Sequence, residues 1–423
     1  MIKKKSVLFL SLLISGLLAL PSLAVEVDSQ GFLNLVRENN PTLQASLNRV
    51  EAFSHTVKSV VATQRPSAGV RGNTGWYSDS DRARQGSYTL SAAVSSIIDV
   101  SGVYPARERE LLLQYNVLTL DHFSLVNNTL ALAENLYWRS FIARENITLQ
   151  KEILAQRRED LRITEEKFRQ QLIPRLDVIR AQAKIEEAES LVVDAESTYQ
   201  SVLAEMGSLA GGVIVTPAPA SEALLMPTLS VKAGVDEARR QRNDVRSIEV
   251  AIERGRVLKT LAAKGMSPVV EGSVGYTLLT DAPVTQQRQN EFLLSLNLSV
   301  PVYDGGQTRE DVAEKSKTIE ALEESLKARE NTVAEEVVKA ITQWERAVAI
   351  EGSKRKQLAR SNEELRITQL MYKEGMGAQI DLLNAQVDNQ RVRTEHLTAI
   401  KEMYLALVSL KQVMSEYQPA PLP

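Results

Sequence analysis

Cysteine is absent from all 423 residues. The chain therefore has no disulfide, no thiol chemistry and no N-terminal cysteine to carry a lipid anchor. Histidine is scarce: His55, His122 and His396 stand far apart, and none forms the spaced pair of a metal site. Phosphate-binding glycine loops and nucleophile elbows are also missing. The sequence thus predicts no enzyme, no cofactor and no metal, and Arg144 and Glu145 read as solvated helix faces. Nor is there a basic stripe to suggest nucleic acid. The formal charge is −3, and loss of Lys3, Lys4 and Lys5 with a cleaved leader would make it −6.

Long apolar runs are confined to the N-terminus. Lys3-Lys4-Lys5 form a basic region, Val7 to Leu20 an apolar one, and Pro21-Ser22-Leu23-Ala24 a small-residue cleavage site. Residues 1–24 therefore read as a secretory signal peptide. No later stretch approaches the roughly 18 apolar residues of a transmembrane helix. An exported chain of this kind either stays soluble or enters a membrane as a β-barrel.

Proline and glycine are missing where it matters most. Between Pro105 and Pro174 there is neither, and from Gln307 to Glu374 Gly352 is the only such residue. These are the strongest helix breakers, costing about 3 and 1 kcal/mol in a helix interior. Each run therefore predicts one continuous helix, roughly 100 Å long at 1.5 Å per residue. Leu322, Leu326, Val333, Val337, Ile341 and Trp344 recur at helical spacing among charges, the stripe of coiled-coil-like packing. Each run turns, at Leu172-Ile173-Pro174 or Gly375-Met376-Gly377, and returns as a second helix over about 176–208 or 379–416.

What is present is present twice. Leu161-Arg162-Ile163-Thr164 recurs at Leu365-Arg366-Ile367-Thr368, and the echo runs on to Asp177/Asp381 and Ala181-Gln182/Ala385-Gln386. Asn40/Asn243, Pro66/Pro268, Asp99/Asp304 and Trp138/Trp344 keep nearly the same separation, about 204 residues. That is far beyond a solenoid repeat of roughly 20–50 residues. The chain reads as a signal peptide (1–24), a first repeat (25–216), a second repeat (217–416) and a short tail (417–423). In the first, a strand pair over about 66–99 precedes a helical hairpin over about 106–208. In the second, a strand pair over about 268–302 precedes a hairpin over about 307–416. Gly211 to Ala220 has the composition of a linker.

Each strand pair has runs of about 10–12 residues around a polar loop, Ser78 to Ser87 in one and Thr280 to Glu291 in the other. Leu294, Leu296, Leu298 and Val300 alternate with Ser295, Asn297 and Ser299. Transmembrane β-strands need about 9–11 residues, and Trp76, Tyr77, Tyr88, Tyr276 and Phe292 are candidates for an interfacial aromatic girdle. Four strands cannot close a barrel, for which eight is the bacterial minimum. Three copies would supply twelve strands and twelve helical segments, and closure would remove the edges that lipid does not tolerate.

The ordered set of features resembles the TolC-type outer-membrane efflux proteins over residues 25–416. The likeness rests on the duplicated halves, on Glu38-Asn39-Asn40-Pro41 and on Val300-Pro301-Val302-Tyr303-Asp304-Gly305-Gly306. It is most distinctive from Tyr372-Lys373-Glu374-Gly375-Met376-Gly377 through Ala378-Gln379-Ile380-Asp381 to Leu382-Leu383-Asn384-Ala385. The resemblance implies a mainly α protein with a small β part. It would be a homotrimer with a 12-stranded barrel in outer-membrane lipid and a periplasmic α-helical barrel. It would serve as the passive duct of an efflux or type I secretion system, engaged at its tip by a periplasmic adaptor and an inner-membrane pump of the ABC, RND or MFS type. The linker and the tail would lie at the equator of the helical barrel.

Asp381, Asn384 and Asp388 share one face of the returning helix. The resemblance places Asp381, Asn384 and Tyr372 at the periplasmic constriction. A carboxylate ring at Asp381 would favour cations, but Asn384 departs from the acidic pattern. Asp177 holds the matching place in copy one, followed by Arg180 and Lys184, cations suited to pair with the Asp face of a neighbouring hairpin and hold the tip closed. Adaptor contacts are implied at Arg169, Leu172 and Arg175, and at Lys373, Gly375, Met376, Gly377 and Gln379. Arg175 and Gln379 depart from the small hydroxyl residue that is common there. The rival reading is an exported periplasmic coiled-coil scaffold or adaptor without a pore. An adaptor would usually set one hairpin between β-rich flanks, whereas this chain has two equivalent hairpins.

Overall fold

The computed structural model describes residues 25–79, 82–218, 230–281, 288–374 and 376–417; the predicted signal peptide and most of the tail lie outside them. In chain order the elements are β1 (Val25–Val27), α1 (Ser29–Asn39), α2 (Pro41–Ala62), β2 (Ser67–Asp79) and β3 (Arg82–Ile98). Next come α3 (Val103–Arg169), α4 (Arg175–Leu209), β4 (Val215–Pro217), α5 (Val231–Gln241) and α6 (Asn243–Ala263). The chain ends in β5 (Val269–Asp281), β6 (Arg288–Ser299), α7 (Gln307–Lys373) and α8 (Gln379–Val413). The repeat is reproduced to the residue in its long hairpins: α3 and α7 each have 67 residues, and α4 and α8 each have 35. No helix among the described residues is long and apolar enough to cross a membrane.

Several elements differ from the sequence reading. Three of the four strands are longer than 10–12 residues, at 13, 17 and 13 for β2, β3 and β5, while β6 has 12. They consume most of the stretches expected as polar loops. Polarity there marks where the surroundings are wet, and a ladder of backbone bonds continues through polar residues because its pairing is independent of side-chain type. Helix α3 starts at Val103, ahead of Pro105, since a proline in the first turn forfeits only an N–H that has no helical partner. Helices α1, α2, α5 and α6, upstream of the strand pairs, were not expected. Asn40 caps α2, its Oδ1 accepting from Thr42 N at 3.0 Å and Leu43 N at 3.1 Å.

The chain divides into two compact units. One takes residues through Val36 with Leu136–Glu222. In it β4, inside the expected linker, pairs in parallel with β1. Tyr137, 1% exposed, stacks edge-on against Trp138 at 5.3 Å, and its hydroxyl donates to Ala218 O at 3.3 Å. Arg144 is not a solvated charge. Its Nη1 donates to Pro217 O at 2.7 Å, and its guanidinium lies 5.7 Å from the Phe141 ring. The antiparallel rungs Arg139–Glu205, Lys151–Glu196 and Arg158–Glu189 join the end of α3 to α4.

The other unit takes Arg37–Asn135 with Ala223–Pro423. Its core is the stripe anticipated on α7. Val333, Val337, Ile341 and Trp344 are buried with Val245 of α6 and Met403, Leu407 and Leu410 of α8, and Leu326 packs alongside. Each such side chain contributes about 1.5–3 kcal/mol when fully buried. This unit also holds one four-stranded antiparallel sheet in the order β2-β3-β5-β6.

Candidate functional site: a two-faced sheet and two hairpin tips

Side chains alternate across a strand, so the ladder fixes which residues share a face. One face carries Ala68 and Val70 of β2, and Leu90, Ala92, Val94 and Ile98 of β3. It continues with Val270, Val274, Tyr276 and Leu278 of β5, and Phe292, Leu294, Leu296 and Leu298 of β6. Tyr276 stands opposite Phe292. These residues are not a core: Phe292, Leu294, Leu296 and Leu298 are 66–73% exposed, and Val70 is 74% exposed. The opposite face is mainly polar, carrying Arg71, Asn73, Ser91, Ser95, Glu271, Ser273, Thr277, Ser295, Asn297 and Ser299, with Ile97, Val269 and Leu293 among them. Ser273 and Ser295 share a hydrogen bond of 2.6 Å across it. A sheet that exposes its apolar face and is polar on the other has the pattern of a barrel wall between lipid and water. Trp76, Tyr77 and Tyr88 take ladder places opposite Gly86, Gln85 and Thr74; their side chains lie outside the described residues.

Each strand pair is fastened to its long helix by one aspartate. Asp99 accepts from the N–H groups of Ser101, Val103 and Tyr104 at 2.8–3.1 Å. Asp304 accepts from Gly306 and Thr308 at 2.9 and 2.8 Å. At Asp99 burial pushes the carboxyl upward, but the converging backbone N–H groups outweigh it and hold it below its usual range. Asp304 is lowered by hydrogen bonds from Thr308, side chain and backbone, and from Gly306. The sequence marked both residues as repeat landmarks, and Asp304 also within the segment that carries the resemblance, but gave neither a capping role. Asp just ahead of a proline-poor helix is the capping signal that could have identified them.

The two tips close alike. Leu172 N bonds Lys167 O at 3.0 Å, and Met376 N bonds Met371 O at 2.9 Å, the i−5 bond of a helix ended by a left-handed residue. In copy one that residue is Gln171, at φ +59°. Leu172 is 67% and Met376 71% exposed, and Leu176 and Ile380 are also exposed. Arg169, Arg175 and Lys373 are exposed, whereas Gly377 and Tyr372 are half-buried. Gly375 and the Gln379 side chain lie outside the described residues.

Asp177 and Asp381 both fall in the first turn of their helices, where a carboxylate is favoured by the helix dipole. Their amides make matching bonds, to Pro174 O at 3.1 Å and Ala378 O at 3.2 Å. Asp381, Asn384 and Asp388 are all exposed on α8. The cations of copy one are engaged locally: Arg180 lies 3.5 Å from Asp177, and Lys184 2.7 Å from Glu187. Asp388 likewise meets Arg391 at 3.3 Å. Among the described residues no cluster of His, Asp or Glu could hold a metal ion.

A two-faced sheet whose outer strands are unpaired among the described residues, joined at helix-capping aspartates to helices of about 100 Å, has the build of a membrane-embedded channel wall. The sequence profile of the outer membrane efflux protein family matches residues 32–212 and 234–416, so the chain belongs to that family. Among characterised relatives is nodulation protein T of Rhizobium leguminosarum bv. trifolii, 22% identical over 365 residues, spanning 82% of this chain and 76% of that protein. Solved structures with the same fold include CusC (TM-score 0.79, 13% identity, 93% of each chain). Another is the open state of the MtrE outer-membrane channel of Neisseria gonorrhoeae (TM-score 0.76, 16% identity, 92% of this chain and 88% of that one). The protein is an outer-membrane efflux channel with a periplasmic helical part, and its family and fold are those of channels rather than of enzymes. The scaffold reading is thereby set aside.

Proposed function

We propose that three copies of this chain form the outer-membrane duct of a tripartite export system and that Asp381 rings its periplasmic constriction. One observation carries the reading: an exposed apolar face on a four-stranded sheet whose outer strands, β2 and β6, have no second partner among the described residues. Such a sheet is stable in lipid only if other copies close it into a barrel. The exposed apolar residues at the tips, Leu172 and Leu176 in one copy and Met376 and Ile380 in the other, suit a docking adaptor. Arg169, Arg175, Lys373, Gly377 and Gln379 complete that surface. Tyr372 and Asn384 border the Asp381 ring, while Asp177, with Arg180 and Lys184, takes the matching place on the other hairpin. The energy for transport comes from an inner-membrane pump of the ABC, RND or MFS type.

In planar bilayers the wild-type channel is expected to prefer cations and to be blocked by divalent cations. Asp381→Ala should lower both effects several-fold, because a ring of carboxylates at a narrow point raises the local cation concentration. Selectivity unchanged by Asp381→Ala would remove Asp381 from the constriction. Deletion of the gene separates the cargo classes. Hypersensitivity to dyes, detergents or antibiotics with normal secretion marks a small-molecule outlet. Loss of one large secreted protein with normal drug tolerance marks type I secretion.

A further inference from the structure

We infer the residue-by-residue register in which one copy of the chain joins the next: β6 pairs antiparallel with the neighbour's β2 so that Asn297 stands opposite Asn73. The inference rests on the barrel reading above and adds the geometry of its seam.

The first support is the internal repeat. Helices α7 and α8 begin 204 residues after α3 and α4, whereas α6 and β5 begin 202 residues after α2 and β2. The second strand of each pair leads into the long helix and should follow the first offset; the first strand should follow the second. The ladder within each pair agrees with this, since it requires the two offsets to sum to 406. Gly69 stands opposite Ala93, and these offsets carry that pair onto Glu271 and Asn297, which are partners in the second pair. The chain also shows how one repeat joins the next, because β3 of copy one pairs with β5 of copy two, with Ala93 opposite Gly275. A closed ring repeats that junction between copies, joining β6 of one chain to β2 of its neighbour. Carrying Ala93 forward by 204 gives Asn297, and carrying Gly275 back by 202 gives Asn73.

The second support is independent of the repeat and comes from the apolar band. On β6 the exposed apolar positions run beyond the strand, through Val300 at 53% to Val302 at 88% exposure. On β2 they begin only at Ala68 and Val70. Within one copy Ala68 lies level with Leu294, through Val94 and Val274, so the β6 stripe descends well past the foot of β2. A membrane surface is level around the barrel, which requires the lower ends of the two stripes to meet at the seam. The inferred register does this, setting Val302 opposite Ala68, Val300 opposite Val70 and Leu298 opposite Gly72. The polar face aligns as well, with Ser299 opposite Arg71. A slip of one residue would turn every β6 side chain to the wrong face.

A chain without cysteine is suited to the test. Asn73→Cys and Asn297→Cys, combined in one chain and mildly oxidised in outer-membrane preparations, should give disulfide-linked dimers and trimers on non-reducing gels. Directly opposed residues bring their Cβ atoms about 4.5–5.5 Å apart, within reach of a disulfide after small shifts, while residues two places along lie beyond it. Asn73→Cys with Ser295→Cys or with Ser299→Cys should therefore cross-link at least ten-fold less. Stronger linking by either control pair overturns the register and leaves the barrel reading intact, as does the absence of linking in a protein that remains trimeric in detergent. No linking from any pair, in a protein that is monomeric in detergent, overturns the barrel reading itself.

Discussion

Arginine in place of Leu296 is expected to abolish assembly in the outer membrane, while arginine at the adjacent Asn297 is tolerated. Leu296 is 70% exposed at the centre of the apolar face, where lipid would contact it. Arginine costs about 2–4 kcal/mol at the bilayer midplane of a β-barrel, and lumen-facing positions escape that penalty. A closed assembly bears the cost once per copy, so a ring of three would lose roughly 6–12 kcal/mol, comparable to the whole stability of an ordinary domain. Membrane fractionation with detection of detergent-resistant oligomers measures the outcome. Equal loss for Leu296→Arg and Asn297→Arg would contradict the assignment of the two faces. Loss with Asn297→Arg alone would invert it.

Arg242→Ala is expected to cost about 3 kcal/mol of stability in the helical part at neutral pH, the lower end of the range for breaking a buried ion pair. Arg242, whose side chain is 11% exposed, donates from Nη2 to Asp244 Oδ2 at 2.7 Å and from Nε to Oδ1 at 3.1 Å. It also donates to Glu336, and Arg329 Nε donates to Asp244 at 3.0 Å. The network ties the start of α6 to the core helix α7. It lines a polar cavity of about 270 Å³, so the charges are only partly desolvated, hence the choice of the lower figure. Removing Arg242 leaves two carboxylates facing each other with Arg329 alone to balance them.

The pH dependence of this loss has a definite sign. Burial alone would raise the Asp244 carboxyl, but Arg242 and Arg329 outweigh it and hold it below its usual value. A depressed carboxylate contributes stability that is present above its unfolded pKa of about 3.9 and fades as pH falls through the folded value. The difference between wild type and Arg242→Ala should therefore be full at neutral pH and shrink below about pH 4. Thermal unfolding across that range measures it. A difference that grew toward low pH would show that Arg242 acts through packing rather than charge.

Much of this was legible because the signals were long. Nearly seventy residues without proline predict a helix whatever surrounds it, and the alternation from Leu294 to Val300 predicted the strand. The turn region from Tyr372 to Ala385 was legible as a resemblance, and the structure gives Asp177 and Asp381 the same place in the first turn of their helices. Shorter elements were not legible. The β1–β4 ladder is three residues long, and its pairing is set by chain neighbours that no local pattern reveals. Arg144 looked like any helix-surface charge, because nothing local announces that Pro217 O and Phe141 will meet it. The strand ends were misplaced because polarity stood in for the end of pairing.

Gln171, held at φ +59°, corresponds to Gly375 in the other half. At the far end of the return helices Gly211 has φ +72°, and Ser415, its counterpart, has φ +56°. Left-handed backbone costs a non-glycine residue about 1 kcal/mol. Each half thus carries that cost at a different end of its return helix, ahead of α4 at Gln171 in the first and after α8 at Ser415 in the second.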